Sequence, residues 1–387
     1  MEWNDLFMKK KKVLLFADWY EPGYKAGGPI RSCVNFAQRM KSYYDVYVFT
    51  SDRDLGSPGP YPDIETDKWI PSGEGLAIFY CSPAAISLGH IRKQIRAIQP
   101  DFIYLNSMFS KGFTIYPLLA SRKGSPAAKV ILSPRGMLRN SALRFKPLKK
   151  KLFLNLIRWA GLHRRLHFHA SDETEQKDIQ HHFGAQAKVS RIDNLPAAPM
   201  NWPVNPVKTP GELSIVFVGR IHPIKNLDYL LERLRKINGS VKLSIIGSRE
   251  DKGFWEKCQE IISSLPALIT VQYLGEMANN EIPGITREHH IFALPTRGEN
   301  FGHAIFEALC CKKPVLISDQ TPWRHLRQSK VGWDVPLDDP GGFERAIAEA
   351  MEWDQRAYDE WSENVFNFAN RYLDNSNAVE KYRQLFS

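Results

Sequence analysis

The chain has 387 residues, of which 43% are hydrophobic and 24% charged, with 25 Gly and 25 Pro. That length points to two or three domains with cores large enough to need no staples, and the composition excludes collagen-like, disordered and coiled-coil classes. The formal net charge is +10, and ten Lys or Arg between Arg135 and Arg165 account for all of it, because 42 basic and 42 acidic residues remain elsewhere.

No apolar run approaches the ~18 residues of a membrane span. Lys9–Lys12 could pass for the basic start of a secretory signal, but the apolar run Val13–Ala17 behind it is too short and ends at Asp18. The five cysteines (33, 81, 258, 310, 311) are odd in number and contain no CxxC pair. They are expected to be buried thiols in a reducing cytoplasm, not a disulfide or zinc framework.

In chain order, short apolar and β-branched runs predict strands at Val13–Ala17, Val46–Thr50, Leu76–Tyr80, Phe102–Asn106, Val130–Ser133 and Leu166–Ala170. The loop after the first of these contains Gly27 and Gly28 just before Pro29, a favoured first residue of a helix, here predicted over Pro29–Met40. Paired glycines let backbone approach a ligand, and the helix start behind them offers N–H groups to an anion. A flexible turn is the alternative, and GxGxxG is absent.

No acid occurs from Phe102 to Ser171. Within that stretch Leu148, Leu152, Leu156 and Trp159 would share one helical face, ringed by Lys149, Lys150, Lys151 and Arg158. An anionic membrane surface or lipid-linked acceptor, a merely solvated basic face and nucleic acid are the three readings. Leu154 and Ile157 break the amphipathicity and allow packing against protein. No RNP, KH, zinc-finger or helix-turn-helix pattern supports nucleic acid.

Pro196–Glu212 holds five prolines in 17 residues and is expected to be a linker. Beyond it, strands are predicted at Ile215–Gly219, Leu243–Gly247, Val271–Gly275, Ile291–Pro295 and Val315–Ser318, with helices at Asn226–Ile237 and His303–Lys312. Continuous apolar strands imply parallel sheets covered by helices, hence two α/β domains, with ligands beyond the carboxyl ends of the strands. Arg220 and Lys225 follow the strand Ile215–Gly219, where a guanidinium and an ammonium could clamp two phosphates. After Ile291–Pro295 comes Glu299-Asn-Phe-Gly-His-Ala-Ile-Phe-Glu307, two acids flanking a helix start, suited to hydroxyls on two parts of a ligand. Each loop alone has a structural reading: a hydrogen-bonding Arg, or an acid complementing a helix dipole.

Together, the strand–GR–xxxx–K loop, the E-x7-E loop, the glycine-pair loop and the proline linker resemble the retaining nucleotide-sugar glycosyltransferases of family 4. Those enzymes have the GT-B fold, two Rossmann-like domains with parallel sheets facing across a cleft. The resemblance covers nearly the whole chain and is most specific over Leu294–Leu309. Gly-Gly-Pro-Ile-Arg31, Ser133–Leu138 and Thr321-Pro-Trp323 are similar to members that build bacterial surface polysaccharide, such as lipopolysaccharide, capsule or exopolysaccharide.

The resemblance implies an acceptor domain over 1–200, a nucleotide-sugar domain over 201–365, and a C-terminal helix (366–387, around Val379–Phe386) crossing back to the first domain. It implies that Arg220 and Lys225 grip the donor diphosphate and that Glu299 faces the donor sugar, with Phe301 and Gly302 beside it. Glu307 would take the ribose, and Gly27 and Gly28 would close over the phosphates. Arg135 stands where many relatives carry a histidine; with Asn106 it is assigned to the acceptor or phosphate side, and as a guanidinium it is no general base.

The implied function is transfer of a hexose from a nucleoside-diphosphate sugar to a hydroxyl of a lipid-linked oligosaccharide. It would proceed without metal or other cofactor, in the cytoplasm at the inner face of the membrane. The alternatives are a soluble small-molecule acceptor or a non-catalytic nucleotide-sugar-binding protein. His167 and His169 alternate on one strand without a third ligand, and neither His181-His182 nor His289-His290 has metal-ligand spacing with acids. The tryptophans, Trp3 and Trp202 among them, are expected to be core or linker anchors.

Overall fold

The computed structural model describes residues 10–121, 128–139, 143, 147–196, 205–375 and 377–387. Trp3, Arg144, Lys146, Pro199, Trp202 and Pro203 lie outside them. The chain divides into two compact units, Met1–Leu195 with Asn377–Ser387, and Pro196–Ser376.

The first unit is built on eight strands: β1 (Lys12–Phe16), β2 (Asp45–Ser51), β3 (Trp69–Pro71), β4 (Leu76–Cys81), β5 (Phe102–Leu105), β6 (Lys129–Leu132), β7 (Leu166–Ala170) and β8 (Lys188–Arg191). Their order is β3-β4-β2-β1-β5-β6-β7-β8, and every pair is parallel except β3 with β4. The alternation of a strand shows why the sheet needs helices on both faces. Val13 and Leu15 enter a core with Phe36 and Tyr104, whereas Leu14 and Phe16 enter a second core with Ile91 and Phe113.

The second unit has six parallel strands: β9 (Glu212–Val218), β10 (Ser240–Ile246), β11 (Ile269–Gly275), β12 (Ile291–Leu294), β13 (Val315–Ser318) and β14 (Gly332–Val335). Their order is β11-β10-β9-β12-β13-β14. In both sheets the chain first adds strands on one side of its first strand and then jumps to the other side. The reversal falls between β1 and β5 in the first unit and between β9 and β12 in the second. At such a switch point the flanking loops diverge and leave a crevice at the strands' carboxyl ends.

The final helix, Ala378–Leu385, belongs to the first unit: Phe386 packs its ring 5.4 Å from Phe36 and 5.3 Å from Phe102, and Lys129 Nζ donates to the Leu385 carbonyl at 2.9 Å. This segment begins at Asn377, not at 366. The preceding helix Gln355–Asn375 is held by the second unit, where Val365 and Ala369 are fully buried with Trp323. All five cysteines are free and buried.

Lys313 is 1% exposed, and its ammonium meets the Tyr358 hydroxyl at 2.8 Å. Burial pushes its pKa down to about 7; Arg287 and Lys312 push the same way and Cys311 opposes them. Between pH ~7 and the ordinary lysine value near 10.4, the unfolded chain holds a proton that the folded chain lacks. This residue's contribution to stability therefore falls as pH drops from about 10 to 7, then levels off. Lys313→Met is expected to raise the melting temperature by several degrees more at pH 7 than at pH 10, at roughly 2–4 °C per kcal/mol. An equal change at both pH values would contradict it.

Candidate functional site

In the second unit the loop after β9 carries Gly219-Arg220-Ile-His-Pro-Ile-Lys225-Asn226. The loop after β12 grips it. Arg297 N–H and Thr296 Oγ1 both donate to the Ile224 carbonyl, at 2.7 and 3.0 Å, and Arg297 Nε and Nη2 each reach Asn226 Oδ1 at 3.0 Å. Asn226 sits at φ 60°, a left-handed position that asparagine tolerates. That turn also opens the helix Leu227–Leu234. Arg297 and Asn226 were not singled out by spacing, because a clasp between loops 71 positions apart leaves no local signal.

This clasp fixes the end of the loop beside Lys225. Lys225 lays its stem along Gly219, and its ammonium pairs with Glu299. Both side chains are mostly shielded, at 17% and 14% exposed. Arg220 pairs with Glu250 at 2.6 Å, and both are over two-fifths exposed. An exposed pair of this kind contributes only ~0–1 kcal/mol, so the guanidinium is readily surrendered to a better anion. Glu299 is fixed by its backbone N–H, which donates to Gln320 carbonyl at 3.0 Å.

Phe301 is buried, and its carbonyl accepts from Trp323 Nε1 at 2.6 Å, while Trp323 packs against Phe301, Phe306 and Tyr372. Gly302 adopts φ 77° and starts the helix His303–Cys310; a Cβ there would lie 2.8 Å from Ile305 Cδ1. Glycine is therefore required where the chain turns into the helix. Glu307 is partly buried on that helix. The structure thus brings Lys225 and Glu299 into contact and gives Arg220 a separate partner.

In the first unit, Gly27 (φ 63°, ψ −124°) precedes the helix Gly28–Met40, a conformation open to glycine alone. The loop before it is braced by Asp54, which accepts from Tyr24 and Lys25 N–H at 2.8 and 3.1 Å, and by Tyr80, whose hydroxyl reaches Glu21 carbonyl at 2.7 Å.

Arg135 was expected on the acceptor or phosphate side, yet its guanidinium is engaged within the unit. Nε and Nη2 donate to Asn106 Oδ1 at 3.1 and 2.6 Å, Nη2 donates to Tyr104 hydroxyl at 3.0 Å, and Nη1 bonds Asn194. These bonds order Asn106, which is 4% exposed. His169 stands between Tyr104 hydroxyl (2.7 Å) and Ile192 carbonyl (2.8 Å). A carbonyl only accepts, so Nε2 carries the proton and Nδ1 accepts from Tyr104. Burial and the neighbouring Arg135 push its pKa down to about 3. Tyr104, Asn194 and His169 escape sequence reading because they come from separate strands and loops.

The helix predicted around Leu148–Trp159 runs Pro147–Trp159. Leu154 and Ile157 are buried in the unit's core, and the opposite face leaves Leu148, Leu152, Leu156 and Trp159 exposed by 82%, 61%, 52% and 88%. Lys149, Lys151 and Arg158 are exposed around that stripe. Lys150, expected among them, leans over the Phe109 ring at 5.2 Å, because its place on the helix is on the side of Leu154 and Ile157. Among the described residues no three His, Cys, Asp or Glu side chains are grouped to hold a metal ion, and no helix is long and apolar enough to cross a membrane.

Residues 201–368 match the family model of glycosyl transferases group 1, so the second unit carries a glycosyltransferase group 1 domain. A stretch of 117 residues, 28% of this chain, is 28% identical to a D-inositol 3-phosphate glycosyltransferase of Rhodococcus erythropolis. The match spans about a quarter of the length of that curated relative (26%). The chain resembles the crystal structure of Anabaena HepE in complex with UDP and glucose, with a TM-score of 0.66, 15% identity, and coverage of 97% of this chain and 99% of that one. It resembles WaaG, a glycosyltransferase involved in lipopolysaccharide biosynthesis, with a TM-score of 0.59, 12% identity, and coverage of 97% and 98%. At these identities the likeness shows the fold: two α/β domains with parallel sheets, as in GT-B glycosyltransferases.

Proposed function

We propose that the protein is a retaining, metal-independent hexosyltransferase of family 4. It would move a hexose from a nucleoside-diphosphate sugar to a hydroxyl of a lipid-linked oligosaccharide in surface-polysaccharide synthesis. The observation that carries the reading is the pair of loops at the β9/β12 switch point, which hold Arg220, Lys225 and Glu299 on one braced platform. The bond from sugar C1 to the diphosphate oxygen breaks, a bond from C1 to the acceptor oxygen forms on the same face, and the acceptor proton passes to the departing diphosphate. Arg220 and Lys225 stabilise the negative charge that gathers on that diphosphate. Glu299 accepts hydrogen bonds from the sugar's hydroxyls. UDP-glucose and GDP-mannose are the donors to test. Release of nucleoside diphosphate from one of them supports transfer, and binding without release would mark a non-catalytic protein.

The lipid-linked acceptor is supported by the exposed stripe Leu148, Leu152, Leu156 and Trp159 with Lys149, Lys151 and Arg158 around it, a pattern suited to an anionic membrane surface on the cytoplasmic side. Each cation near such a surface contributes about 1 kcal/mol. Neutralising Lys149, Lys151 and Arg158 together is therefore expected to weaken co-sedimentation with phosphatidylglycerol vesicles by about 100-fold. Undiminished binding would remove the membrane from the account. The inositol-phosphate relative supports the other reading, a soluble acceptor, and would be favoured by that outcome.

A further inference from the structure

The first unit has a switch point of its own, between β1 and β5, and the residues there include a carboxylate to which no role has been given. Asp18 lies two positions beyond β1, beside the loop that follows β5. The backbone ties these loops to the strand ends: Ala17 N–H donates to Phe49 carbonyl at 3.2 Å and Asn106 N–H to Phe16 carbonyl at 3.0 Å. Ser110 Oγ donates to Asp18 Oδ1 at 2.6 Å and accepts from Phe113 N–H at 3.1 Å, so one carboxylate oxygen is oriented by a hydroxyl that is itself fixed. Burial raises the Asp18 pKa, which the hydroxyls of Ser110 and Ser107 offset only in part.

The two sheets thus place charge at equivalent points of equivalent topology, but of opposite kind. Beyond β9 stand Arg220 and Lys225, which suit an anionic diphosphate. Beyond β1 stands a carboxylate with serine hydroxyls, which repels phosphate and suits hydroxyl donors, whose hydrogen bonds to an ionised carboxylate are charge-assisted.

We propose that Asp18 binds a hydroxyl of the acceptor, accepting its hydrogen bond, and that Ser110 positions the carboxylate for it. The group recognised beyond β1 is therefore a neutral polyol or sugar hydroxyl and not an acceptor phosphate. This rests on the reading of the second unit as the donor domain.

The test compares wild type, Asp18→Asn and Ser110→Ala in UDP release from UDP-glucose and GDP release from GDP-mannose, with myo-inositol or methyl α-glucoside as a neutral hydroxyl acceptor and water alone as the control, alongside UDP and GDP affinity. Asparagine keeps the shape and the Ser110 contact but puts N–H where a carboxylate oxygen stood. Acceptor-dependent turnover by Asp18→Asn is expected to fall about 10- to 100-fold, the loss of a hydrogen bond to a charged group, and that by Ser110→Ala about 10-fold, with release to water alone unchanged. The nucleotide dissociation constant is expected to stay within about twofold, and the melting temperature to hold or rise. A purely structural Asp18 would lower the melting temperature and spare turnover per folded molecule. Wild-type acceptor-dependent turnover in Asp18→Asn, or no rise in release with either acceptor in wild type, overturns this assignment alone. A wild-type protein that neither binds the nucleotides nor turns over the sugars overturns the donor reading, and the assignment with it.

Discussion

Glu299→Ala is expected to lower transfer from the nucleoside-diphosphate sugar by roughly 1000-fold, the loss typical of removing one well-placed polar group from a transition-state site. The carboxylate is paired with Lys225 on a backbone fixed by the Glu299 N–H donating to the Gln320 carbonyl, and it lies mostly out of water. Its removal frees the Lys225 ammonium, which then serves the diphosphate alone. Affinity for free nucleoside diphosphate should hold or tighten while the chemical step fails. That split separates a residue facing the sugar from one that merely holds the lysine. The platform survives, because the Arg297–Asn226 clasp and the Thr296–Ile224 bond do not involve Glu299. Turnover near wild type, or affinity lost in step with turnover, would refute the role.

Arg220→Ala is expected to weaken UDP or GDP binding by about 10- to 100-fold, since a hydrogen bond to a charged group contributes ~1.5–3 kcal/mol. Turnover should fall further than affinity, because the diphosphate gathers charge as its bond to sugar breaks. The melting temperature should barely move, as the Arg220–Glu250 pair is exposed and weak. Lys225→Ala is a poorer probe, because it strands the shielded Glu299 carboxylate and confounds binding with stability. Unchanged affinity and rate in Arg220→Ala would remove the guanidinium from the site.

The buried strands were legible because each is a continuous apolar run: Leu166–Ala170 and Val315–Ser318 match their predicted bounds. The three strands that went unseen are edge or near-edge elements without such a run. Trp69–Pro71 is three residues ending in proline, Lys188–Arg191 has a charge at each end, and Gly332–Val335 carries an aspartate inside. An edge strand buries less, so its sequence is less constrained.

The candidate site was legible in the sequence where it is local. Lys225, Glu299, Gly302 and Glu307 lie in loops and helix starts that the sequence picks out by spacing, and their roles come from the resemblance, since each loop alone also has a structural reading. Contacts that depend on tertiary structure were not legible: Arg297 on Asn226, Trp323 on the Phe301 carbonyl, and Arg135 turned onto Asn106 and Tyr104. Sequence showed that Leu154 and Ile157 interrupt the apolar stripe of the basic helix. Only the structure shows that they form a second, buried face and leave the first one bare.

On the proposed function the loops beyond β9 and β12 grip a nucleoside diphosphate. A crystal structure of the full chain with UDP tests it most directly. Diphosphate oxygens are expected at hydrogen-bond distance, about 2.7–3.2 Å, from both the Arg220 guanidinium and the Lys225 ammonium, with Arg220 drawn away from Glu250. Diphosphate bound elsewhere, with Arg220 still paired to Glu250, would contradict it.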